Sequence, residues 1–298
     1  MTGRRITAQD RAGWAFTGPV LVAVLLLLAL PTAAAVLLSL TDFDIYAIAD
    51  LGNLRWVGVG NYAGLLADPS FWRALGNTLL FTALGMPATI GASLGVALLL
   101  DHEATRWRPA WRLLLFAPYV TTLVATAIAW RYVLDTRFGL LNRGLAALGL
   151  APVDWLGNPH TSIPAVVLFV TWKVFGYNMV IFSAALTAVP RDLQDAARVD
   201  GAGAWSRFRH VTLPAIRPVL LLAALLNAAG FLQIFSEPYI MTQGGPAQST
   251  QTLLYFMFEQ GFRWWNLGIA SAVAVVTFAL TLLFTIVPTR LGRARGWL

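Results

Sequence analysis

Six apolar segments, each close to 20 residues long, constrain the fold of this chain of 298 residues more than any other feature. A helix needs about 20 mostly apolar residues to cross the hydrocarbon core of a bilayer. We place the six predicted spans at residues 18–40, 77–100, 113–130, 163–186, 218–235 and 267–287. Tryptophans such as Trp72, Trp111 and Trp130 lie near their ends, as the membrane interface favours. The expected fold is therefore an all-α polytopic membrane protein with six transmembrane helices.

The composition agrees with this fold class. Hydrophobic residues make up 58% of the chain and charged residues only 12%, about half the share in a soluble domain. There is no cysteine, which excludes disulfides and thiolate metal sites. The net charge of +7 comes from arginines beside the apolar runs, a placement that favours membrane topology over a nucleic-acid-binding face. The lipid bilayer is the expected surrounding, and no nucleic-acid partner is expected.

The distribution of basic residues predicts the orientation of the chain. With the N-terminus inside the cell, the predicted cytoplasmic pieces carry 14 Lys and Arg residues and the external loops carry 6. Cytoplasmic loops are enriched in these residues, so both termini are expected to be cytoplasmic. Residues 1–17 and 288–298 are then tails of a transmembrane domain at 18–287. The first apolar run is longer than a signal-peptide core, so an uncleaved first span is favoured.

Catalytic sequence patterns are absent or out of context. GASLG at residues 91–95 fits the G-x-S-x-G nucleophile pattern, but it lies inside an apolar helix, and all three histidines fall in loops. The single lysine, Lys173, is not followed by Ser or Thr, so there is no phosphate-binding loop for ATP. No zinc-binding motif is present, and no cofactor is expected to bind this chain. An intramembrane enzyme is thus the less favoured alternative to a transport protein.

Polar residues in the fourth and fifth spans predict a hydrated path. Lys173 lies near the middle of its span, where an unpaired charge costs about 3 kcal/mol or more. Tyr177 and Asn178 follow about one helical turn later, and Asn227 and Gln233 occupy one side of the next span. These five residues are the candidate substrate pathway. Ordinary hydrogen bonding between the two helices is the alternative interpretation.

The segment DAARVDGAGAWSRFRHVTLP, residues 195–214, is polar and glycine-rich in an otherwise apolar chain. It lies in the predicted cytoplasmic loop at 187–217. Pro190 suits the first turn of a short helix, and Asp195 favours the positive N-terminal end of that helix. Gly201 is expected to end the helix with a positive φ angle.

A second short amphipathic helix is predicted after the glycines. Trp205, Phe208 and Val211 fall on its apolar face. Pro214 is expected to end it and to push Leu213 out of the helical region. Such a pair of helices at a glycine corner suits either the headgroup layer of a membrane or a cleft in another protein. The residues alone do not decide between these two interpretations.

The same segment resembles the cytoplasmic loop of bacterial ABC importer permeases, whose pattern is E-A-A-x3-G-x9-I-x-L-P. The positions that fit this spacing are Asp195, Ala196, Ala197, Gly201, Val211, Leu213 and Pro214. Asp195 replaces the usual Glu, and Val211 replaces the usual Ile. By this resemblance the segment is an ATPase-coupling loop, which also includes Asp200, Trp205 and Phe208.

Three further stretches, residues 56–82, 171–190 and 241–262, resemble the carbohydrate-uptake group of these permeases, related to maltose or glycerol-3-phosphate permeases. The resemblance implies a type I ABC importer permease fold with a cytoplasmic EAA coupling loop. It implies a second permease subunit, two ATPase subunits that use ATP and Mg, and an extracytoplasmic solute-binding protein. The location would be the bacterial inner membrane, and the solute a sugar or a sugar-like compound such as glycerol-3-phosphate.

An ion-coupled secondary transporter is the alternative within transport. Such transporters place acidic residues or broken helices near the middle of the membrane. No Asp or Glu falls inside the six predicted spans. The sequence therefore favours the ATP-driven importer, without naming its solute.

Overall fold

The computed structural model describes residues 8–101 and 105–294, so the predicted tails lie partly outside the described part of the chain. Within it, the chain is almost entirely helical, with one isolated antiparallel bridge between Thr41 and Trp56. The α-helices are α1 (Ala8–Val24), α2 (Leu30–Leu38), α3 (Ile45–Ala49), α4 (Gly60–Ala67), α5 (Pro69–Asp101), α6 (Arg108–Val120), α7 (Leu123–Val133), α8 (Leu140–Ala147), α9 (Pro159–Thr187), α10 (Arg191–Val199), α11 (Ala204–Arg207), α12 (Leu213–Leu232), α13 (Ser236–Met241), α14 (Leu253–Phe258) and α15 (Leu267–Ala294).

Shorter π-helical and 3₁₀ turns extend or join these helices. The π-helical turns lie at Leu25–Ala29, Phe208–Thr212 and Glu259–Arg263, and a 3₁₀ turn lies at Leu51–Asn53. The chain divides into two compact units. Among the described residues, one unit contains those up to Asp68 together with Met257–Val276, and the other contains those between Pro69 and Phe256 and those from Thr277 to Ala294.

Among the described residues, five helical segments are long and apolar enough to cross a membrane. They are Gly13–Leu38, Pro69–Asp101, Pro159–Thr187, Ala204–Leu232 and Leu267–Arg293. The bent pair α6 and α7 would make a sixth span if counted as one. The predicted all-α membrane fold is therefore confirmed.

The third predicted span, residues 113–130, is not one continuous helix. The chain turns by 99° between α6 and α7, and Thr121 and Thr122 at the corner have extended backbone angles. Pro118 has no amide hydrogen to donate within α6. The Thr121 hydroxyl donates to the Pro118 carbonyl at 2.6 Å, which satisfies a group at the helix end. The predicted span therefore corresponds to two helices with a sharp bend, because these local bonds compete with helix continuation.

The fifth predicted span, residues 218–235, begins earlier than expected. Leu213 is helical, with φ −59° and ψ −45°, and Pro214 lies in the first turn of α12 rather than ending a helix. A proline normally clashes with the carbonyl four residues before it. Here the preceding turn is π-helical, with the Leu213 amide donating to the Phe208 carbonyl. The helix is consequently continuous from Ala204 to Leu232, and the expected stop at Pro214 was wrong.

Helix α9 forms the centre of the second unit. One apolar cluster includes the buried rings of Phe81, Phe169 and Phe231. A second cluster, further along α9, includes Met179 and Phe182. Helices α5, α6 and α12 all pack against α9, and this arrangement brings their polar residues to one place.

The backbones of helices α6 and α9 lie in direct contact at Gly176. A Cβ atom placed on Gly176 of α9 would overlap the Leu115 carbonyl oxygen of α6 and lie 2.9 Å from the Phe116 Cα. Only glycine fits such an approach, because both neighbouring atoms belong to backbone. Gly176 thus fixes the distance between the two helices.

Side chains of the first unit hold its loop together. The Asp44 carboxylate caps α3 by accepting from the amides of Tyr46 and Ala47. The Asn61 amide donates to the carbonyls of Ser39 and Thr41, each at 2.8 Å. These local bonds give the connection between α2 and α4 a defined conformation.

Candidate functional site

The predicted helix-glycine corner is present at Gly201. Helix α10 ends at Val199, and Gly201 has φ +77°, as expected. The amide of Ala202 donates to the Ala197 carbonyl at 2.9 Å, and the Gly201 amide donates to the Arg198 carbonyl at 3.0 Å. These two bonds form a Schellman motif, in which a left-handed glycine satisfies the last carbonyls of a helix. The corner therefore sets the direction of the chain into α11.

The corner exposes apolar side chains. Val199 is 88% exposed and Trp205 is 71% exposed, while the rings of Trp205 and Phe208 lie 5.5 Å apart. The neighbouring Asp195–Arg198 ion pair, at 3.2 Å, is also exposed and contributes little to stability. Exposed apolar side chains grouped in a polar segment indicate a contact surface.

The C-terminal end of the same segment is anchored to the membrane helices. The Gln194 side-chain amide donates to the Thr212 hydroxyl at 2.9 Å, and Val211 packs against the buried cluster that contains Ile216. The predicted coupling residues therefore divide into two groups. Asp195, Ala196, Asp200, Gly201 and Trp205 are exposed, whereas Ala197, Phe208, Val211, Leu213 and Pro214 are partly buried.

A cavity of about 530 Å³ lies between α6, α9, α12, α13 and α14 in the second unit. Four of the five predicted pathway residues line it, namely Tyr177, Asn178, Asn227 and Gln233. The structure thus brings both predicted polar stripes to a single space. Its volume suits a small organic molecule.

Asn178 and Asn227 are bonded to each other across α9 and α12. Each side-chain amide donates to the carbonyl oxygen of the other, at 3.3 and 3.0 Å, and both side chains are buried. Asn227 also donates to the Ala223 carbonyl at 2.8 Å. The alternative of interhelical hydrogen bonding therefore applies to these two residues, although both also line the cavity.

A pair of tyrosines forms another part of the cavity wall. The rings of Tyr119 and Tyr177 are stacked, with centroids 4.9 Å apart and an interplanar angle of 20°. Tyr119 comes from the last turn of α6, just before the break. It was not predicted from the sequence because its position depends on the bend between α6 and α7.

Lys173 does not line the cavity. Its ammonium donates to the Thr121 carbonyl at 2.7 Å and the Pro118 carbonyl at 3.2 Å, and it lies 3.4 Å from the Thr121 hydroxyl. The C-terminal end of a helix carries partial negative charge and unpaired carbonyls, which a cation stabilises. The hypothesis that Lys173 faces the path beside Asn227 is corrected, since its ammonium joins α9 to the α6–α7 corner.

We expect Lys173→Met to destabilise the protein. The substitution leaves the Thr121 carbonyl without the ammonium as its donor, a loss of about 1–3 kcal/mol, while the Pro118 carbonyl keeps the bond from the Thr121 hydroxyl. Thermal unfolding of the purified protein in detergent, followed by size-exclusion chromatography, measures the effect. Lys173→Arg keeps donors at the same position and is the control, with a smaller loss. Unchanged thermal stability of Lys173→Met would show that the ammonium is hydrated instead.

Glu237 also lines the cavity, on the first turn of α13. Burial raises the pKa of this carboxyl, while the hydrogen bond from its own backbone amide and the positive charge of Lys173 act in the opposite direction. It lies two positions after the fifth predicted span, beyond the polar side that carries Asn227 and Gln233. An acidic residue immediately after a polar helix face is the signal that could have added it to the predicted pathway.

The serine of the GASLG pattern has a local structural role. Ser93 is buried in α5, and its hydroxyl donates to the Thr89 carbonyl one turn earlier, at 2.6 Å. A nucleophilic serine would need a strained turn and a base. Ser93 lies inside a helix and donates its hydroxyl to the backbone of that helix, so it does not meet these requirements.

Membrane-spanning helices around a cavity with amide and aromatic side chains, and one helix that continues into an exposed polar segment, are typical of a transport protein. The chain belongs to the family of binding-protein-dependent transport system inner membrane components, whose model matches residues 6–295. It is therefore a permease subunit of an ABC transport system, in which separate subunits hydrolyse ATP.

Related proteins and structures span almost the whole chain. The lactose transport system permease protein LacF of Rhizobium radiobacter is 32% identical over 93% of this chain and 91% of LacF. The trehalose/maltose transport system permease protein MalF of Thermococcus litoralis is 32% identical over 99% and 98%. The fold is similar to a bacterial ABC transporter involved in the import of the acidic polysaccharide alginate, with a TM-score of 0.79, 21% identity and 96% of each chain covered.

Proposed function

We propose that this permease subunit imports a sugar or a sugar-like solute by alternating access. The observation that carries the proposal is the cavity, where the stacked rings of Tyr119 and Tyr177 lie beside amide and hydroxyl groups. Aromatic rings suit the apolar faces of a sugar, and the polar groups suit its hydroxyls. The names of the lactose and trehalose/maltose relatives agree with this solute class.

The exposed surface around Gly201 is proposed to dock into a cleft of an ATPase subunit. Trp205 and Val199 would supply its apolar contacts, because exposed side chains of this kind bury area on binding. The anchoring of the segment to the spans through Val211 supports a mechanical role. Movement of the ATPase would then reach the membrane helices without passing through a flexible loop.

The remaining partners and the orientation follow from the same proposal. A second permease subunit would complete the pathway, and an extracytoplasmic solute-binding protein would deliver the solute. Both termini would lie in the cytoplasm of a bacterial cell, which agrees with the bias of basic residues toward those loops. This orientation puts the surface around Gly201 on the side where ATP is available.

We expect ATP-dependent sugar uptake by the assembled transporter. The experiment reconstitutes this chain, its partner permease and the ATPase subunits into liposomes without an ion gradient, and adds the binding protein and labelled sugars. Uptake with ATP, and none with ADP, would support the proposal and argue against an ion-coupled transporter. A deletion strain that loses uptake of a peptide or a metal, but keeps sugar uptake, would refute the solute class.

A further inference from the structure

Charge is unevenly distributed around the cavity. Among the cavity-lining residues in the described part of the protein, Glu237 is the single one with a carboxyl or basic side chain. The other polar groups are amides and hydroxyls, including those of Gln233 and Ser236. The cavity therefore offers amide and hydroxyl groups together with one carboxyl group.

The ammonium of Lys173 is not among the groups that line this cavity. The charge of Lys173 acts on Glu237, but the ammonium is engaged by the carbonyls of Pro118 and Thr121 at the α6–α7 corner. An ammonium has three N–H donors, and three oxygen atoms surround this one within 3.4 Å. The group of this pair that lines the cavity is therefore the carboxyl of Glu237, whereas the ammonium of Lys173 binds at the α6–α7 corner.

The carboxylate of Glu237 discriminates between solutes by their hydrogen-bonding groups and their charge. An ionised carboxylate only accepts hydrogen bonds, so a sugar hydroxyl can donate to it. A phosphate, a sulfonate or another carboxylate has no hydrogen to donate and brings a second negative charge to the same place. Repulsion between like charges is stronger in a partly desolvated cavity than in bulk water.

We infer that Glu237 is a charge-selecting residue, which admits uncharged, hydroxyl-rich solutes to the pathway and excludes anionic ones. This inference rests on the proposed function, because it specifies the solute class for the same cavity. Among the solutes implied by the family resemblance, it favours a neutral sugar over glycerol-3-phosphate. The fold does not decide this point, since a transporter of the same fold is involved in the import of an acidic polysaccharide.

The absence of cysteine allows a direct measurement of charge in the cavity. Ser236→Cys, in the assembled transporter in detergent, places a thiol beside Glu237. Its rates of modification are measured with two methanethiosulfonate reagents of similar size, one ending in trimethylammonium and one in sulfonate, by mass spectrometry of this chain. We expect the ratio of the cationic to the anionic rate to fall about tenfold when Glu237→Gln is added, as removal of a nearby charge requires.

A neutral hydroxyethyl reagent and a second thiol position control this measurement. Equal rates with the neutral reagent, with and without Glu237→Gln, show that the cavity is still formed and open. Gln233→Cys repeats the test at another cavity-lining position. An unchanged charge ratio at both positions, a preference for the sulfonate, or no reaction with the neutral reagent would overturn the inference.

The ratio of the two modification rates does not depend on which solute is transported. The reagents react without transport, so an unchanged ratio overturns charge selection while leaving sugar import intact. Failure of sugar uptake in the liposomes overturns the proposed function, whatever the ratio shows. The two failures are therefore distinguishable.

Discussion

Replacing Gly176 with alanine is expected to disturb the structure more than the addition of a methyl group at any other position of α9. The new Cβ would overlap the Leu115 carbonyl oxygen, and that atom cannot turn aside as a flexible side chain could. Helices α6 and α9 would have to separate, and overpacking of this kind typically costs about 1–3 kcal/mol. Because Tyr119 and Tyr177 lie on these same two helices, their stacking and the cavity wall would be lost with the helix contact.

Thermal stability and the amount of monodisperse protein in detergent measure this effect. Gly95→Ala in α5 is the matched control, since a Cβ there meets nothing within 4 Å and alanine favours a helix. We expect the control to match the unmodified protein in stability and uptake. Equal stability of Gly176→Ala and Gly95→Ala would mean that α6 does not seat against α9 as described.

Replacing Gly201 with valine is expected to abolish transport while leaving the protein in the membrane. At φ +77° a residue with a side chain costs about 1–2 kcal/mol, and a β-branched one is especially disfavoured. Nothing lies within 4 Å of a Cβ at this position, so the strain comes from the backbone alone. The chain would leave the left-handed region, and the direction of α11 with Trp205 would change.

For Gly201→Val, solute uptake and the amount of this protein in the membrane must be measured together. We expect uptake to fall more than tenfold, with stimulation of the ATPase by the loaded binding protein also lost. Gly203→Val is the matched control, because Gly203 has φ −64° and ψ 166°, which valine adopts readily, and a Cβ there meets nothing. Normal uptake by Gly201→Val would show that the corner does not couple the ATPase to the spans.

Local sequence signals predicted the helices and the corner at Gly201. Apolar runs of membrane-spanning length led directly to α5, α9 and α15, because the length of a span is set by the bilayer and not by distant contacts. The positive φ of Gly201 followed from its place after a short polar helix. Tyr177 in α9 and Asn227 in α12 both line the cavity, each from the polar side that helical periodicity indicates for its own helix.

Features that depend on distant residues could not be predicted in this way. The bend after Val120 is stabilised by Lys173, more than 50 positions along the chain, and no local pattern contains that partner. The role of Lys173 was misassigned for the same reason, since the carbonyls that it binds become available only when the helix breaks. Continuity through Pro214 was missed because the widened turn before it is set by backbone hydrogen bonding, which residue preferences do not encode.

If the surface around Gly201 moves with an ATPase subunit, as proposed, the unbroken helix from Ala204 to Leu232 would carry that movement toward the cavity. Its 29 residues span roughly 43 Å at about 1.5 Å per residue. A tilt of about 10° around its midpoint would displace each end by about 4 Å, given that length. The Asn178–Asn227 bond, near the far end, tolerates a change of only a few tenths of an ångström. A tilt of α12 relative to α9 would therefore break the Asn178–Asn227 bond.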